Sequence, residues 1–226
     1  MLNIGSRLLC VASMVQPHRK TVDIGTDHAY LPAYLVLNGI AEDVLACDIG
    51  VMPLQNAKKT VESFSLQDSI SLRISDGLKN VLPEEAQEIT VCGMGGVLMV
   101  EILNAAPWIK RDDMHLVLQP MTHSEDVRRF LCENGFSIKE EKCVIDNKKV
   151  YCCISAFYTG CKTDIDDGFC YFGFLPAKDE ITKEYVEKQY HRLTIKLNAL
   201  EISSGDTPAV KKLKSIKSYY EERVFK

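Results

Sequence analysis

Over its first 160 residues the chain alternates between strand-like and helix-like spacing of apolar side chains, and then the alternation stops. Ile4, Leu8, Val11 and Val15 recur at helical intervals, which predicts an amphipathic helix over 2–15 that ends near Pro17. Residues 20–25 read as a short strand broken at Gly25. A helix over 31–38 follows, with Pro32 in its first turn and Gly39 just past its end. The same reading gives strands over 44–48, 70–74, 89–92 and 116–118. Helices are expected over 53–64, from the glycines at 93–96 to residue 103, and over 124–133. Two more strand-like runs, 136–145 and 150–158, are joined by the polar turn Asp146-Asn147-Lys148. Strand–helix units closed by a hairpin predict an α/β fold, a doubly wound Rossmann-like sheet with an antiparallel edge. Ligands of such sheets bind outside the carboxyl ends of the strands, where strand order reverses, so the residues that end each strand carry the functional argument.

The stretch up to residue 177, with Gly160, Gly168, Gly173 and Pro176, reads as a linker. It gives a first domain over 1–160, a linker over 161–177 and a second domain over 178–226. In the second, Val186, Tyr190, Leu193, Leu197 and Leu200 step by four and three, a coiled-coil seam. After a turn at 203–206, Thr207 is placed to cap a second helix that enters through Pro208 and carries Val210, Leu213, Tyr220 and Val224. So short a joint predicts an antiparallel pair. The net charge of −4 divides into +3 from Lys178 onward and −7 before it. A basic tail on an acidic body suits a polyanionic partner, although a solvated helix face has the same composition.

Hydrophobic residues at 46% and charged residues at 26% leave ample core and exclude a disordered or collagen-like chain. No window reaches the roughly 18 to 20 consecutive apolar residues of a membrane span. The start, MLNIGSRLLC, is interrupted by Arg7 and lacks the order of a secretory signal, so a cytoplasmic protein without a membrane partner is expected. The nine cysteines are odd in number and form no CxxC pair, which suits reduced thiols serving as small hydrophobes. The five histidines fall at no ligand spacing from a cysteine, so no metal is expected.

The first strand ends in Asp23-Ile24-Gly25-Thr26-Asp27-His28. A dinucleotide site would use GxGxxG, but here Asp27 occupies the second glycine position. A carboxylate there repels a pyrophosphate and tolerates a cationic or zwitterionic ligand, a description that S-adenosylmethionine satisfies. A plain strand-to-helix turn would look similar. The second strand ends at Asp48, about twenty residues beyond Gly25, where an acid is placed to accept from both ribose hydroxyls. The third leads to Asp76-Gly77, by itself an ordinary turn. The fourth ends in Gly93-Met94-Gly95-Gly96, three glycines in four residues, which suits a backbone approached closely by a ligand. The fifth ends in Leu118-Gln119-Pro120. The Asp/Asn-Pro-Pro-aromatic signature of methyltransferases acting on exocyclic amines is absent, which turns attention to another acceptor. Cys92 is expected as a buried strand residue beside Gly93.

The strings Asp23-Ile24-Gly25-Thr26-Asp27-His28-Ala29-Tyr30-Leu31-Pro32, Gly93-Met94-Gly95-Gly96 and Leu118-Gln119-Pro120, in that order, resemble the bacterial tRNA (adenine-N1)-methyltransferases acting on adenine 22. The resemblance implies a class I methyltransferase sheet with a terminal antiparallel hairpin, followed by a C-terminal antiparallel helical coiled-coil domain. It also implies S-adenosylmethionine as methyl donor and tRNA as partner. Asp23, Gly25 and Asp27 would shape the methionine end of the pocket, Asp48 would hold the ribose, and Asp76 with Gly77 would flank the adenine. Gly93, Met94 and Gly95 would line the passage from sulfonium to target base. His28, Tyr30 and Gln119 would orient or stack on that base, and Lys211, Lys212, Lys214 and Lys217, joined by Arg192 and Lys196, would follow the tRNA backbone. Asp27, His28 and Met94 are the implied catalytic residues. Met121 departs from the polar residue expected after Leu118-Gln119-Pro120.

Adenine N1 bears a free lone pair and no proton, so its methylation needs alignment rather than a base, and positioning can supply ~7 to 11 kcal/mol. The base must first leave its stack, at a cost of a few kcal/mol. A monomer is favoured, with dimerisation through the coiled coil as the bland alternative. Two other readings stay open at this point: a methyltransferase for a small molecule or a protein, and a catalytically silent RNA-binding protein on the same sheet. A nucleotide-dependent oxidoreductase is disfavoured by the missing GxGxxG.

Overall fold

A computed structural model describes residues 2–174 and 179–224. Strands β1 (Thr21–Ile24), β2 (Val44–Asp48), β3 (Ile70–Ile74), β4 (Glu88–Gly95), β5 (His115–Thr122), β6 (Phe136–Asp146) and β7 (Lys149–Tyr158) form one sheet. Their order is β3-β2-β1-β4-β5-β7-β6. The first five are parallel, and β7 runs antiparallel to both of its neighbours. Successive side chains point to opposite faces and sort the core in two. Val44, Ala46, Val117 and Cys153 pack toward α1 (Gly5–Ala12), α2 (Tyr30–Leu37) and α3 (Val51–Ser63). Leu45, Cys47, Leu116 and Leu118 pack on the other face toward α4 (Gly96–Asn104), α5 (Ser124–Glu133), α6 (Asp167–Phe172), α7 (Glu180–Ser204) and α8 (Pro208–Val224). Among the described residues no helix is long and apolar enough to cross a membrane.

The expected antiparallel hairpin closes one edge of the sheet. Its second strand, β7, threads between β5 and β6, so the antiparallel strand lies inside and β6 forms the edge. Burial explains the order. Residues Cys152, Cys153, Ile154, Ser155 and Ala156 are all buried, as a strand covered on both faces requires, whereas β6 carries Lys139, Glu140 and Lys142. The fourth strand also runs past Cys92, its expected end. Its pairing with β5 slips on either side of Met94, a bulge at Gly93 (φ +77°) that re-aims the last residues of the strand.

Within 161–177, read above as a linker, lies helix α6, capped by Asp166, whose Oδ1 accepts from the Phe169 N–H at 2.6 Å. Its Cys170 and Phe172 are buried, because an aromatic-rich segment next to an apolar face gains more by docking than by solvation. Pro176, Lys178 and the side chain of Val224 lie outside the described residues. Helices α7 and α8 run antiparallel. Tyr190 stacks on Tyr220 (4.4 Å between centroids), and Lys214 reaches Glu201 at 2.9 Å. Thr207 caps α8 as its sequence position predicts, with Oγ1 accepting from the Val210 N–H at 3.3 Å. The pair shares the core of the sheet: Tyr185, Val186, Leu193, Leu213 and Tyr220 are buried in the cluster that holds Phe136 and Ile154.

Two polar clusters secure this frame. Fully buried Arg128 on α5 donates from Nε to Glu141 Oε1 on β6 (2.6 Å) and from Nη1 to the Cys170 carbonyl on α6 (2.9 Å). At the amino-terminal rim, buried Glu88, His115 and Ser155 tie β4, β5 and β7 together. His115 Nδ1 lies 2.7 Å from Glu88 Oε1, and its Nε2 lies 2.7 Å from Ser155 Oγ. An acid, a histidine and a serine in line suggest a nucleophile, but none of the three meets solvent, and burial pushes the Glu88 carboxyl upward.

A third contact gives a pH prediction. Arg73 on β3 donates from both Nη groups to Glu85 (2.6 and 2.7 Å), and Glu85 also accepts the Leu82 N–H. The Arg73 hydrogen bonds hold the Glu85 carboxyl well below its ordinary range, at about 2, with desolvation opposing. Because the folded value is the lower one, the contribution is complete above about pH 4.5 and is lost as pH falls toward 2. Glu85→Gln should therefore lower the thermal midpoint at pH 7, with the deficit shrinking as the pH drops through that window. A deficit of constant size across pH 2–7 would show that the ion pair is not its cause.

Candidate active site

Strands β1 and β4 lie side by side, yet the chain continues from them to opposite wings of the sheet. At their carboxyl ends this divergence leaves a cleft of about 310 Å³, the switch point where doubly wound sheets bind ligands. Its walls come from Gly25 to Tyr30 after β1, from Cys92 and Gly93 on β4, and from Arg7 and Leu8 on α1.

The turn after β1 is held in a shape that most residues avoid. Gly25, Asp27 and Ala29 all have positive φ (+74°, +48° and +53°), which is costly for the latter two. Three hydrogen bonds over-determine it. The N–H groups of Gly25 and Thr26 both reach the Cys47 carbonyl (2.8 and 3.0 Å), and that of Asp27 reaches Asp48 Oδ2 (3.2 Å). Asp48 Oδ1 accepts in turn from the Gly50 N–H at 2.9 Å. Asp48 is thus fixed at the end of β2 with only part of its accepting capacity used. A Cβ on Gly25 would fall 2.1 Å from Met94 Cε, so the Met94 side chain lies directly on the Gly25 backbone.

The charges suit a cation. Asp23 is buried beneath the cleft and accepts from Thr90 Oγ1 at 2.6 Å; burial raises its carboxyl, and the Thr90 hydrogen bond opposes the rise. Asp27 is exposed at the mouth, with Oδ2 3.6 Å from His28 Nε2. His28 and Tyr30 are stacked, 5.1 Å between centroids and 8° from parallel, and Tyr30 is 40% exposed. Cys92, expected to be buried, is half-buried and lines the cleft; desolvation pushes its thiol upward, and the Asp23 carboxylate adds to the rise.

Other site candidates lie outside the lining of this cleft. Gln119, expected at the mouth, is fully buried. Its Oε1 accepts from Arg7 Nη1 (2.7 Å) and from the Gly93 N–H (3.1 Å), so it holds the cleft wall from behind. Asp76 is exposed past β3 and pairs with Lys79. Gly77 is pressed against α4, where a Cβ would fall 2.8 Å from Ile102 Cγ1. Gly95 and Gly96 lie where the bulged end of β4 meets β5, and a Cβ on Gly96 would fall 2.1 Å from the His123 carbonyl oxygen. Lys211, Lys212 and Lys214 are engaged by Asp206, Asp167 and Glu201, and Lys196 lines a groove with Asp167 and Glu125. Arg192 lies in a separate cleft, beside Met121.

Sequence reasoning missed Arg7, whose only signal was a cation interrupting an apolar helix. It also missed Ile49 just past β2, Met52 in the first turn of α3 and Ile74 at the end of β3, each more than half exposed. Ile49 follows Asp48 in the chain, and Ile74 is registered opposite Asp48 in the sheet. Their signal was a place within a few residues of a strand's carboxyl end.

Residues 4–154 match the family model described as a methyltransferase domain. A Bacillus subtilis protein named tRNA (adenine(22)-N(1))-methyltransferase is 37% identical over 150 residues, which span 66% of this chain and 63% of that protein's length. The crystal structure of the B. subtilis m1A22 tRNA methyltransferase superposes with a TM-score of 0.80 at 28% identity, covering 98% of this chain and 99% of that one. A putative tRNA (m1A22) methyltransferase from Streptococcus pneumoniae, solved in complex with S-adenosyl-L-methionine, superposes with a TM-score of 0.76 at 27% identity, covering 96% and 97%.

Proposed function

The chain belongs to the methyltransferase-domain family, and from that premise we propose that it transfers the methyl group of S-adenosylmethionine to N1 of adenine 22 in tRNA. The observation that carries this reading is the cleft itself. It sits at the switch point, is lined by the carboxylates of Asp23 and Asp27, with Asp48 hydrogen-bonded to the Asp27 N–H beside it, and lacks the second glycine that a pyrophosphate would require.

These residues fit S-adenosylmethionine. The Gly25 backbone, Met94, Asp23 and Asp27 take the methionine end, where buried and exposed carboxylates favour an ammonium and a sulfonium. Asp48, already oriented by the Asp27 and Gly50 N–H groups, accepts from the ribose hydroxyls. Ile49, Met52 and Ile74 cover the adenine, with Asp76 and Gly77 at its edge. When bound, S-adenosylmethionine supplies a methyl on a sulfonium, and the positive charge passes to the acceptor base as the thioether leaves.

The protein's own work is then placement and charge. His28 and Tyr30 form a stacked lip against which a flipped adenine rests, so that N1 meets the methyl in line. Asp27, at the same lip, faces the cationic ring that forms. Gln119 acts through Arg7 and the Gly93 N–H, which makes it a positioning residue rather than one that touches the base. The α7–α8 pair, which we read as a short antiparallel coiled coil, carries the tRNA-facing cations of a cytoplasmic, monomeric enzyme.

The test is methyl transfer from labelled S-adenosylmethionine into unmodified bacterial tRNA, followed by nucleoside analysis. N1-methyladenosine is expected, and it should vanish when adenine 22 of the substrate is replaced by guanine. Label in any other nucleoside, or none with intact tRNA and cofactor, would overturn the reading.

A further inference from the structure

The cations of the α7–α8 pair fall into two groups. Lys183, Lys211, Lys214 and Lys217 each reach a carboxylate on the same two helices or their joint, and Lys212 reaches Asp167. Lys188, Arg192, Lys196 and Arg223 have no carboxylate within 4 Å among the described residues; Lys196 and Arg223 line grooves that carry acids, whereas Lys188 and Arg192, one turn apart on α7, do not. Arg192 contacts only the Gln189 amide, at 3.5 Å. Lys149, at the start of β7, is free of carboxylates in the same way.

Lys149, Lys188 and Arg192 converge. A cleft of about 330 Å³ lies between the tip of β5, the start of β7 and α7, and it is lined by Met121, Thr122, Lys149, Tyr151, Lys188 and Arg192 among others. No residue lining it is acidic. Grooves farther along α5 and α8 do carry acids: Asp126 and Glu133 in one, Asp166, Asp167 and Glu222 in another. Tyr185, Lys188, Gln189 and Arg192 follow helical spacing, so one stripe of α7 faces the cleft and buried Tyr185 fixes its angle. The cleft also adjoins the candidate active site. Arg7, in the wall of the catalytic cleft, lies over the Tyr151 ring at 6.0 Å from its centroid, and Gln119 behind that wall is followed directly by Pro120.

We propose that this second cleft docks the RNA strand next to the methylated adenine. Lys149, Lys188 and Arg192 neutralise its phosphates, and the half-buried Tyr151 ring stacks a neighbouring base. Cations without a carboxylate partner exchange only water and counterions for phosphate, whereas each α8 lysine must first leave an acid. Stacking on Tyr151 is indifferent to base identity, so the site reads strand geometry rather than sequence. This inference rests on tRNA being the substrate.

The test uses point variants of the full chain, because α7 supplies core residues and its deletion would expose them. Lys188→Ala/Arg192→Ala should weaken tRNA binding about tenfold or more and reduce the slope of log affinity against log salt by about two, with S-adenosylmethionine affinity unchanged. Tyr151→Ala should raise KM for tRNA while Tyr151→Phe stays near wild type. Lys58→Ala/Lys59→Ala on α3, at the opposite face of the sheet, should leave affinity and slope alone. If the α7 double variant keeps wild-type affinity and slope while the wild-type enzyme methylates tRNA, the cleft is not the subsite and only this inference falls. If the wild-type protein neither binds nor methylates tRNA, the substrate reading falls and takes the subsite with it.

Discussion

Asp48→Ala is expected to weaken S-adenosylmethionine binding by at least 10²-fold, measured by titration calorimetry, with tRNA affinity at fixed salt unchanged. Each hydrogen bond to a charged acceptor contributes roughly 1.5–3 kcal/mol, so losing two to the ribose costs about 3 kcal/mol or more. The same carboxylate accepts from the Asp27 and Gly50 N–H groups, and the Asp27 turn sits at φ +48°. Removing it therefore also releases a strained turn from one of its restraints. Asp48→Asn separates the two effects, since an amide oxygen keeps one acceptor without the charge and should lose less. Cofactor affinity within about threefold of wild type in Asp48→Ala would remove this residue from the pocket.

Arg128→Ala should cost about 3–5 kcal/mol of stability in denaturant titrations. The guanidinium is wholly buried, and its loss strands Glu141, which is itself almost fully buried, together with the Cys170 carbonyl. The penalty belongs to the groups left behind more than to the pair. Arg128→Met combined with Glu141→Leu should accordingly recover most of it, because matched apolar replacements avoid an unpaired buried charge. A single variant that lost less than about 1 kcal/mol would mean that water reaches Glu141 once the arginine is gone.

Most of the sheet was legible because β1, β2, β4 and β5 are each followed by an α-helix of different period, with Pro and Gly marking the joints; β3 leads to β4 through a single short turn at Pro83–Glu85. β2, β3 and α5 fall where the sequence pattern puts them. The insertion of β7 between β5 and β6 was not legible, since a hairpin has the same local pattern whichever arm docks inward. Nor was α6, whose six residues are too few to show a period and whose glycines suggested a connector. At the site, the strand-end residues Gly25, Asp27 and Asp48 come together, because parallel strands bring their carboxyl ends to one rim. Gln119 does not reach the mouth, because β5 runs on past it to Thr122. The pleat turns its side chain inward, toward an arginine contributed from 112 positions earlier in the chain. Contacts of that sequence separation leave no periodic trace, and ion pairing likewise hides which lysines of the tail are free.

The interior position of β7 also has a consequence for synthesis on the ribosome. Until residue 158 has emerged, β5 presents Leu116, Val117 and Leu118 along an open edge, a template for pairing with another nascent chain. The strand that seals this edge is the last of the seven to emerge and docks hydrogen-bonded to charged β6. The hairpin therefore docks as a lid with its polar arm outward, and the most aggregation-prone stage of the chain's life ends in a single local step.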